Sequence, residues 1–273
     1  MVETIKKEWQ AKGAILFFLL LTAWWCLNNF LIGNSIIKYD GFFDFGEFYG
    51  LMAVWGGIWG ILISFKWGGI KTVIGKGILM FSLGLLLQEF GQLSYAWYYD
   101  FFKTPGPYPS LGDMGYFGRV FLYILGILYL AKASGVKVGL QSFEKKVQAV
   151  IIPLIILGLG YYLFLQGYSV NWNDPIKTFL DFGYPLFQAV YVSLAILTYL
   201  LSKEILGGVM KKCILFILLA LCIQFLCDYT FLYQSSKGLY KVGEINDYMY
   251  FFSYFLMTLA LLQFDTVFKK LKS

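Results

Sequence analysis

Histidine is absent from the 273 residues. That removes the commonest metal ligand and the commonest general base near neutral pH. Di-iron hydroxylases, rhomboid-type proteases and zinc sites are therefore not expected. Cysteine is scarce: Cys26, Cys213, Cys222 and Cys227 all lie in apolar segments and none forms CxxC. They read as small buried hydrophobes, not as a redox or disulfide framework. Charge is scarce too, at 14% of residues against about 25% in a soluble domain. No P-loop, GxSxG or HExxH pattern occurs. With no nucleophile–base pair or metal cluster visible, neither an enzyme nor a bound cofactor or metal is expected.

What the chain has instead is apolar and aromatic surface: 59% hydrophobic residues and 21% aromatics. Trp and Tyr concentrate at the two faces of a bilayer. Eight apolar segments, near residues 13–31, 45–65, 77–98, 115–133, 147–165, 182–201, 213–233 and 248–264, approach the length that crosses hydrocarbon. Runs of this length can span only as helices, because every backbone polar group must be satisfied internally. The expectation is an all-α polytopic membrane protein with eight transmembrane helices and the lipid bilayer as its partner. The short charged lead-in is not a cleavable signal, because the apolar run that follows is too long and no small-residue site closes it.

The formal net charge of +6 is explained by where the lysines fall. Sixteen lie on the side of the two termini, and only Lys38, Lys103, Lys177, Lys237 and Lys241 lie opposite. By the positive-inside rule both termini are expected in the cytoplasm, with the protein in the cell membrane. A nucleic-acid role is not needed to account for the basic excess.

The chain also matches itself. Lys76 falls on Lys212, Gln88 on Gln224 and Gln92 on Asp228, each 136 positions on. At an offset of 134, Asp113 falls on Asp247, Tyr116 on Tyr250, Phe117 on Phe251, Leu122 on Leu256 and Leu128 on Leu262. The segment from Phe42 to Gly46 matches that from Phe179 to Gly183 at 137, where Lys66 also meets Lys203 and Trp24-Trp25 meets Tyr161-Tyr162. The implied organisation is a lead-in (1–12), a four-helix repeat (13–134), a cytoplasmic linker (135–146), a second repeat (147–266) and a tail (267–273). An even number of helices per copy makes the repeats parallel, related by a pseudo-two-fold axis along the membrane normal.

Two sets of polar residues stand out against this background. Asp44, Asp113, Asp181 and Asp247 each precede an even-numbered helix at the outer face, where an Asp caps unpaired N–H groups. With Asp40, Glu47, Asp100, Asp174 and Glu244 they could also form an acidic outer rim. The second set is buried. Glu89, with Gln88 and Gln92, lies in the third segment, and Asp228 and Gln224 lie in the seventh. Such groups in mid-membrane mark a functional site by default. Gln88 and Gln92 share a helical face, as do Gln224 and Asp228, and the repeat would turn the two faces toward each other. Arg119, the sole arginine, needs a carboxylate, with Glu47 or Glu89 the expected partner. The plainer reading of the whole set is interhelical glue. Aromatics in the outer halves, among them Tyr95, Trp97, Tyr98, Tyr229, Tyr233 and Tyr250, read as interface belts or as an outward-facing cup for a flat or cationic ligand. Every lysine lies in a loop or at a terminus, which excludes a Schiff-base photoreceptor.

The segment Pro107-Tyr108-Pro109-Ser110-Leu111-Gly112-Asp113-Met114-Gly115-Tyr116 resembles the P-x-P-S-x-A-D-x-x-Y segment of multi-helix membrane sensor modules. These stand ahead of bacterial diguanylate cyclases and histidine kinases. Pro109, Ser110, Asp113 and Tyr116 carry the match, and Gly112 replaces Ala. The resemblance implies an input domain that perceives a signal in the membrane. With no output domain expected after Ser273, it would act through a cytoplasmic signalling partner or a homo-oligomer. The buried polar set fits two other readings: a small transporter or channel with a polar path between the repeats, and a structural subunit of a membrane complex.

Overall fold

The computed structural model describes residue 4 and residues 8–33, 45–103, 106–134, 143–165, 172–202 and 211–272. Asp40 and Asp44 lie outside the described residues, as does the side chain of Glu47. Eight helices dominate: α1 Trp9–Gly33, α2 Leu51–Lys66, α3 Val73–Phe102, α4 Leu111–Ala133, α5 Phe143–Gly160, α6 Pro175–Ser202, α7 Lys211–Ser236 and α8 Ile245–Lys272. No strand occurs among the described residues. Seven of these helices are long and apolar enough to cross a membrane, which fits an all-α, multi-pass membrane protein in a lipid bilayer.

The exception is α2, and it corrects the expectation of an unbroken segment over 45–65. The chain forms a helical turn at Phe45–Phe48, breaks at Tyr49 and Gly50, and resumes as a helix of 16 residues. The cause is the buried polar face of α3. Gln92 Nε2 donates to the Gly46 carbonyl at 2.8 Å, and a Cβ at Gly50 would sit 1.7 Å from Glu89 Oε2. Here the chain needs a residue without a side chain, and helix continuity is given up.

Helix starts follow local chemistry. Ser110 caps α4 in a capping box with Asp113. Thr72 caps α3 by accepting from the Gly75 N–H at 3.0 Å. Pro175 opens α6, where its fixed φ suits the first helical position, and Asp174 Oδ1 accepts from the Lys177 N–H at 3.1 Å. Asp174, not Asp181, therefore caps that helix. Asp181 lies inside α6, which corrects its expected place ahead of the helix.

Six helices close into a ring in the order α2, α3, α4, α6, α7, α8 and back to α2. The helix α1 packs on the outside against α8 and α2, and α5 packs outside against α6. Most of the length of α8 is buried, whereas α1 and α5 bury little of theirs. Small residues bring α2 close to its neighbours: a Cβ at Gly56 would lie 2.2 Å from Thr258 Oγ1 and one at Gly60 2.1 Å from Ser82 Oγ. Without a hydrophobic drive between helices in lipid, such close van der Waals approach holds the bundle.

Both chain ends meet at one end of the ring. Lys269 Nζ donates to Glu8 Oε2 at 2.6 Å, and Thr266 Oγ1 lies 3.1 Å from Thr4 Oγ1. Lys66 Nζ, at the end of α2, donates to Asp265 Oδ1 at 2.6 Å.

Candidate functional site

The polar centre of the ring is built on Asp228 of α7. Its Oδ2 accepts from Arg119 Nη2 of α4 at 3.0 Å and from the Tyr191 hydroxyl of α6 at 3.1 Å. Its Oδ1 accepts from the Tyr250 hydroxyl of α8 at 2.9 Å and from Gln224 Nε2 at 3.1 Å. A carboxylate offers about four acceptor positions, so Asp228 is fully engaged. Four helices are thus tied to one side chain. Both members of the ion pair are buried, Arg119 at 2% and Asp228 at 4% exposure. In a medium that hydrates neither charge, only such pairing makes their depth tolerable.

Arg119 is less well served than its partner. Its guanidinium lies over the Tyr123 ring, 5.8 Å from the centroid, but Nε and Nη1 are buried without a hydrogen-bond partner. The Tyr254 hydroxyl, on a residue with no exposure, is buried and unpartnered too. The Tyr254 ring lies 6.2 Å from that of Tyr250, which shares Asp228 with Arg119. On one side the arginine is locked to Asp228, and on another it presents donors that no protein acceptor meets. Chemically the centre can hold an acceptor such as a carbonyl or carboxylate oxygen. Asp228 itself already accepts four hydrogen bonds, so the open valences of the centre are those of Arg119 and Tyr254.

The sequence-based expectations fare unevenly. Arg119 pairs with Asp228, an acceptor not expected for it from the sequence; of the two carboxylates that were expected, Glu47 has its side chain outside the described residues. Gln224 does share the site, and its Oε1 accepts from Ser253 Oγ at 3.1 Å. Gln92 turns away to the Gly46 carbonyl, and Glu89 is buried beside Gly50 and Gln92. Gln88 is buried with Oε1 unpartnered. No described hydrogen bond joins the polar face of α3 to that of α7; from the first half it is Arg119 of α4 that reaches Asp228. The site residues that sequence reasoning missed are tyrosines: Tyr123, Tyr191, Tyr250 and Tyr254. Tyr250 stood out only as the counterpart of Tyr116 and as one of the outer-half aromatics, and no local signal separates these tyrosines from the belt aromatics around them.

A second polar group lies at the ring end opposite the termini. Asp113 accepts from the Tyr95 hydroxyl at 2.9 Å, the Tyr184 hydroxyl at 2.9 Å and the Ser110 N–H at 2.8 Å. Asp247 accepts from the Gly243 N–H at 2.7 Å and the Tyr240 hydroxyl at 3.0 Å. Asp181 accepts from the Tyr108 hydroxyl at 2.8 Å. Partial burial, then the Asp181 carboxylate, push the Tyr108 phenol well above its usual range, so it stays a donor. Among the described residues no group of three or more His, Cys, Asp or Glu could hold a metal ion.

No protein-family model matches the chain, and comparison with curated proteins and with solved structures finds none similar to it.

Proposed function

We propose that the chain is an integral-membrane sensor or ligand-binding module of two parallel four-helix repeats, with its polar site where the repeats meet. The observation that carries this reading is the half-used arginine. Nε and Nη1 of Arg119 and the Tyr254 hydroxyl are buried donors without acceptors, and a native interior leaves few such groups unexplained. A ligand oxygen entering between α4 and α8 would satisfy them.

The contact pattern supports the two-repeat organisation. The second helix of each half packs on the fourth helix of the other, α2 on α8 and α6 on α4, and the first helix of each half stays outside the ring. Repeat arithmetic also gives the ion pair a meaning. Arg119 corresponds to Ser253 and Asp228 to Gln92, so each charge has a neutral counterpart in the other copy. The two halves have diverged at matched positions into a complementary pair across their interface. The lysine-rich end, where both termini meet, faces the cytoplasm of a cell-membrane protein in this reading. The Asp113, Tyr95 and Tyr184 cluster then floors an outward cup. The likeness of the 107–116 segment to bacterial input modules agrees with a signal passed to a cytoplasmic partner or a second copy.

The test is a thermal-shift screen of purified protein in detergent against small carboxylates and carbonyl compounds, with Tyr254→Phe and Arg119→Lys beside the wild type. Tyr254→Phe removes a hydroxyl that bonds nothing, so unliganded stability stays within about 1 kcal/mol. A stabilising compound raises the melting temperature of the wild type and loses that effect in both variants. If no acceptor-bearing compound stabilises the wild type, or if Tyr254→Phe leaves the shift intact, the reading fails.

A further inference from the structure

Other buried groups on the inner faces of the ring share the condition of Arg119 and Tyr254. Gln188 Oε1 of α6 is buried without a hydrogen-bond partner, and so are both polar atoms of the Asn246 side chain, Oδ1 and Nδ2, on α8. The two residues are 3% and 1% exposed. Helix periodicity sets each of them on a stripe that already points at the centre. Gln188 lies four residues after Tyr184 and three before Tyr191, whose hydroxyls reach Asp113 and Asp228 on other helices. Ala195, four residues further along the same stripe, has no exposure. Asn246 stands four residues before Tyr250, which donates to Asp228 Oδ1, and seven before Ser253, which donates to Gln224. Both α6 and α8 thus carry an unpaired amide group about one turn from a tyrosine bonded to Asp228. In each case that turn leads away from the termini and toward the Asp113 end of the ring.

Together these groups select a narrower ligand than an acceptor alone. Arg119 Nε and Nη1 only donate, and the Tyr254 hydroxyl can donate, whereas Gln188 Oε1 and Asn246 Oδ1 only accept. A ligand of bare acceptor oxygens would leave those two carbonyl oxygens buried and unpaired, at the full cost of their desolvation. Charge narrows the class further. The charge of Arg119 is already met by Asp228 at 3.0 Å, so a carboxylate would bring an uncompensated charge into a buried site. An ammonium would find only neutral amide oxygens. Burying either ion costs far more than burying an uncharged polar group. A neutral carbonyl that carries N–H groups supplies both functions without that cost. Hydrogen bonds of about 2.9 Å on the two sides of one amide group reach across roughly one helical turn, ~5.4 Å. That is the step from Tyr191 to Gln188 and from Tyr250 to Asn246. Resting on the ligand-binding reading of the Arg119 centre, we propose that its ligand is an uncharged amide. The carbonyl oxygen goes to Arg119 and Tyr254, and the N–H groups go to the side-chain oxygens of Gln188 and Asn246.

Two matched sets of probes on the purified full chain in detergent test this: acetamide, acetone and acetate, and benzamide, acetophenone and benzoate. Within each set the ketone keeps the carbonyl but has no N–H to donate, and the carboxylate adds a charge. Apparent affinity is read from the rise in melting temperature with probe concentration. The amide that binds should do so about tenfold more tightly than its ketone and its carboxylate, the weight of one neutral hydrogen bond. Asn246→Leu keeps the volume and removes two atoms that bond nothing in the protein, so the unliganded fold is retained. It should weaken the amide about tenfold and leave the ketone unchanged, and Gln188→Met should do the same. Equal binding of amide and ketone, tighter binding of the carboxylate, or an amide preference that survives both variants overturns the assignment. In those cases a shift still lost in Tyr254→Phe keeps the ligand-binding reading of the centre. No shift from any of the six probes overturns both.

Discussion

Replacing Asp228 by Asn changes almost no volume, yet it should be among the most damaging single substitutions in the chain. The two carboxylate oxygens accept from Arg119 and Tyr191 on one side and from Tyr250 and Gln224 on the other. An amide nitrogen in place of Oδ2 would face the Arg119 donor head-on, and one in place of Oδ1 would force the Tyr250 hydroxyl and the Gln224 amide to turn their acceptor oxygens toward it. The arginine also loses its counter-charge at 2% exposure. Removing one member of a buried ion pair costs about 3–5 kcal/mol. At roughly 2–4 °C per kcal/mol for a domain of this size, the melting temperature should fall by roughly 6–20 °C. Tryptophan fluorescence during a thermal ramp in detergent would read it, since the chain holds 8 tryptophans. The cycle is completed with Arg119→Gln and the double variant. Because each single change strands the other charge, the double variant should be more stable than the sum of the singles implies, by about 2 kcal/mol or more. A fall below 2 °C for Asp228→Asn, or strict additivity in the cycle, would refute the argument that this pair organises the interior.

Other outcomes follow from the same geometry. Tyr191→Phe and Tyr250→Phe should each cost about 1.5–3 kcal/mol, the worth of a hydrogen bond to a charged group, whereas Tyr254→Phe costs almost nothing; thermal unfolding of the three distinguishes them. Gly60→Ala drives a methyl to 2.1 Å from Ser82 Oγ and should lose about 1–3 kcal/mol, much of it recovered by adding Ser82→Ala. Ser110→Ala should cost about 1 kcal/mol as a lost cap. Asp113→Ala should cost clearly more by the same thermal assay, because the Tyr95 and Tyr184 hydroxyls lose their acceptor as well. Lys269→Met removes the partner of buried Glu8, and limited proteolysis of the first residues should then run several-fold faster than in the wild type.

How much of this was legible in the sequence depends on the range of the interaction. Long apolar runs in a chain with little charge leave helices as the only structure that satisfies the backbone, so the helical segments could be read directly. The start of α4 was equally local: Ser110 and Asp113 stand three residues apart and close a capping box with each other. Buried polar positions in the third and seventh segments were legible because an ionisable residue in an apolar run is conspicuous whatever it touches. The partners of those residues were not. Arg119 and Asp228 are 109 residues apart, and nothing along the chain says that α4 and α7 face each other across a ring closed by α6 and α8. The break at Gly50 was hidden for the same reason, since it answers to Glu89 and Gln92 on another helix. Asp181 misled because a polar residue near an apolar run looks like a cap until Pro175 is seen to start the helix earlier. The sequence alone therefore determined which segments are helical and which residues are too polar to sit idle among them. Tertiary packing decided which of those residues meet, because hydrogen-bond direction and a few ångströms of helix approach are properties of pairs of helices, and no single segment encodes them.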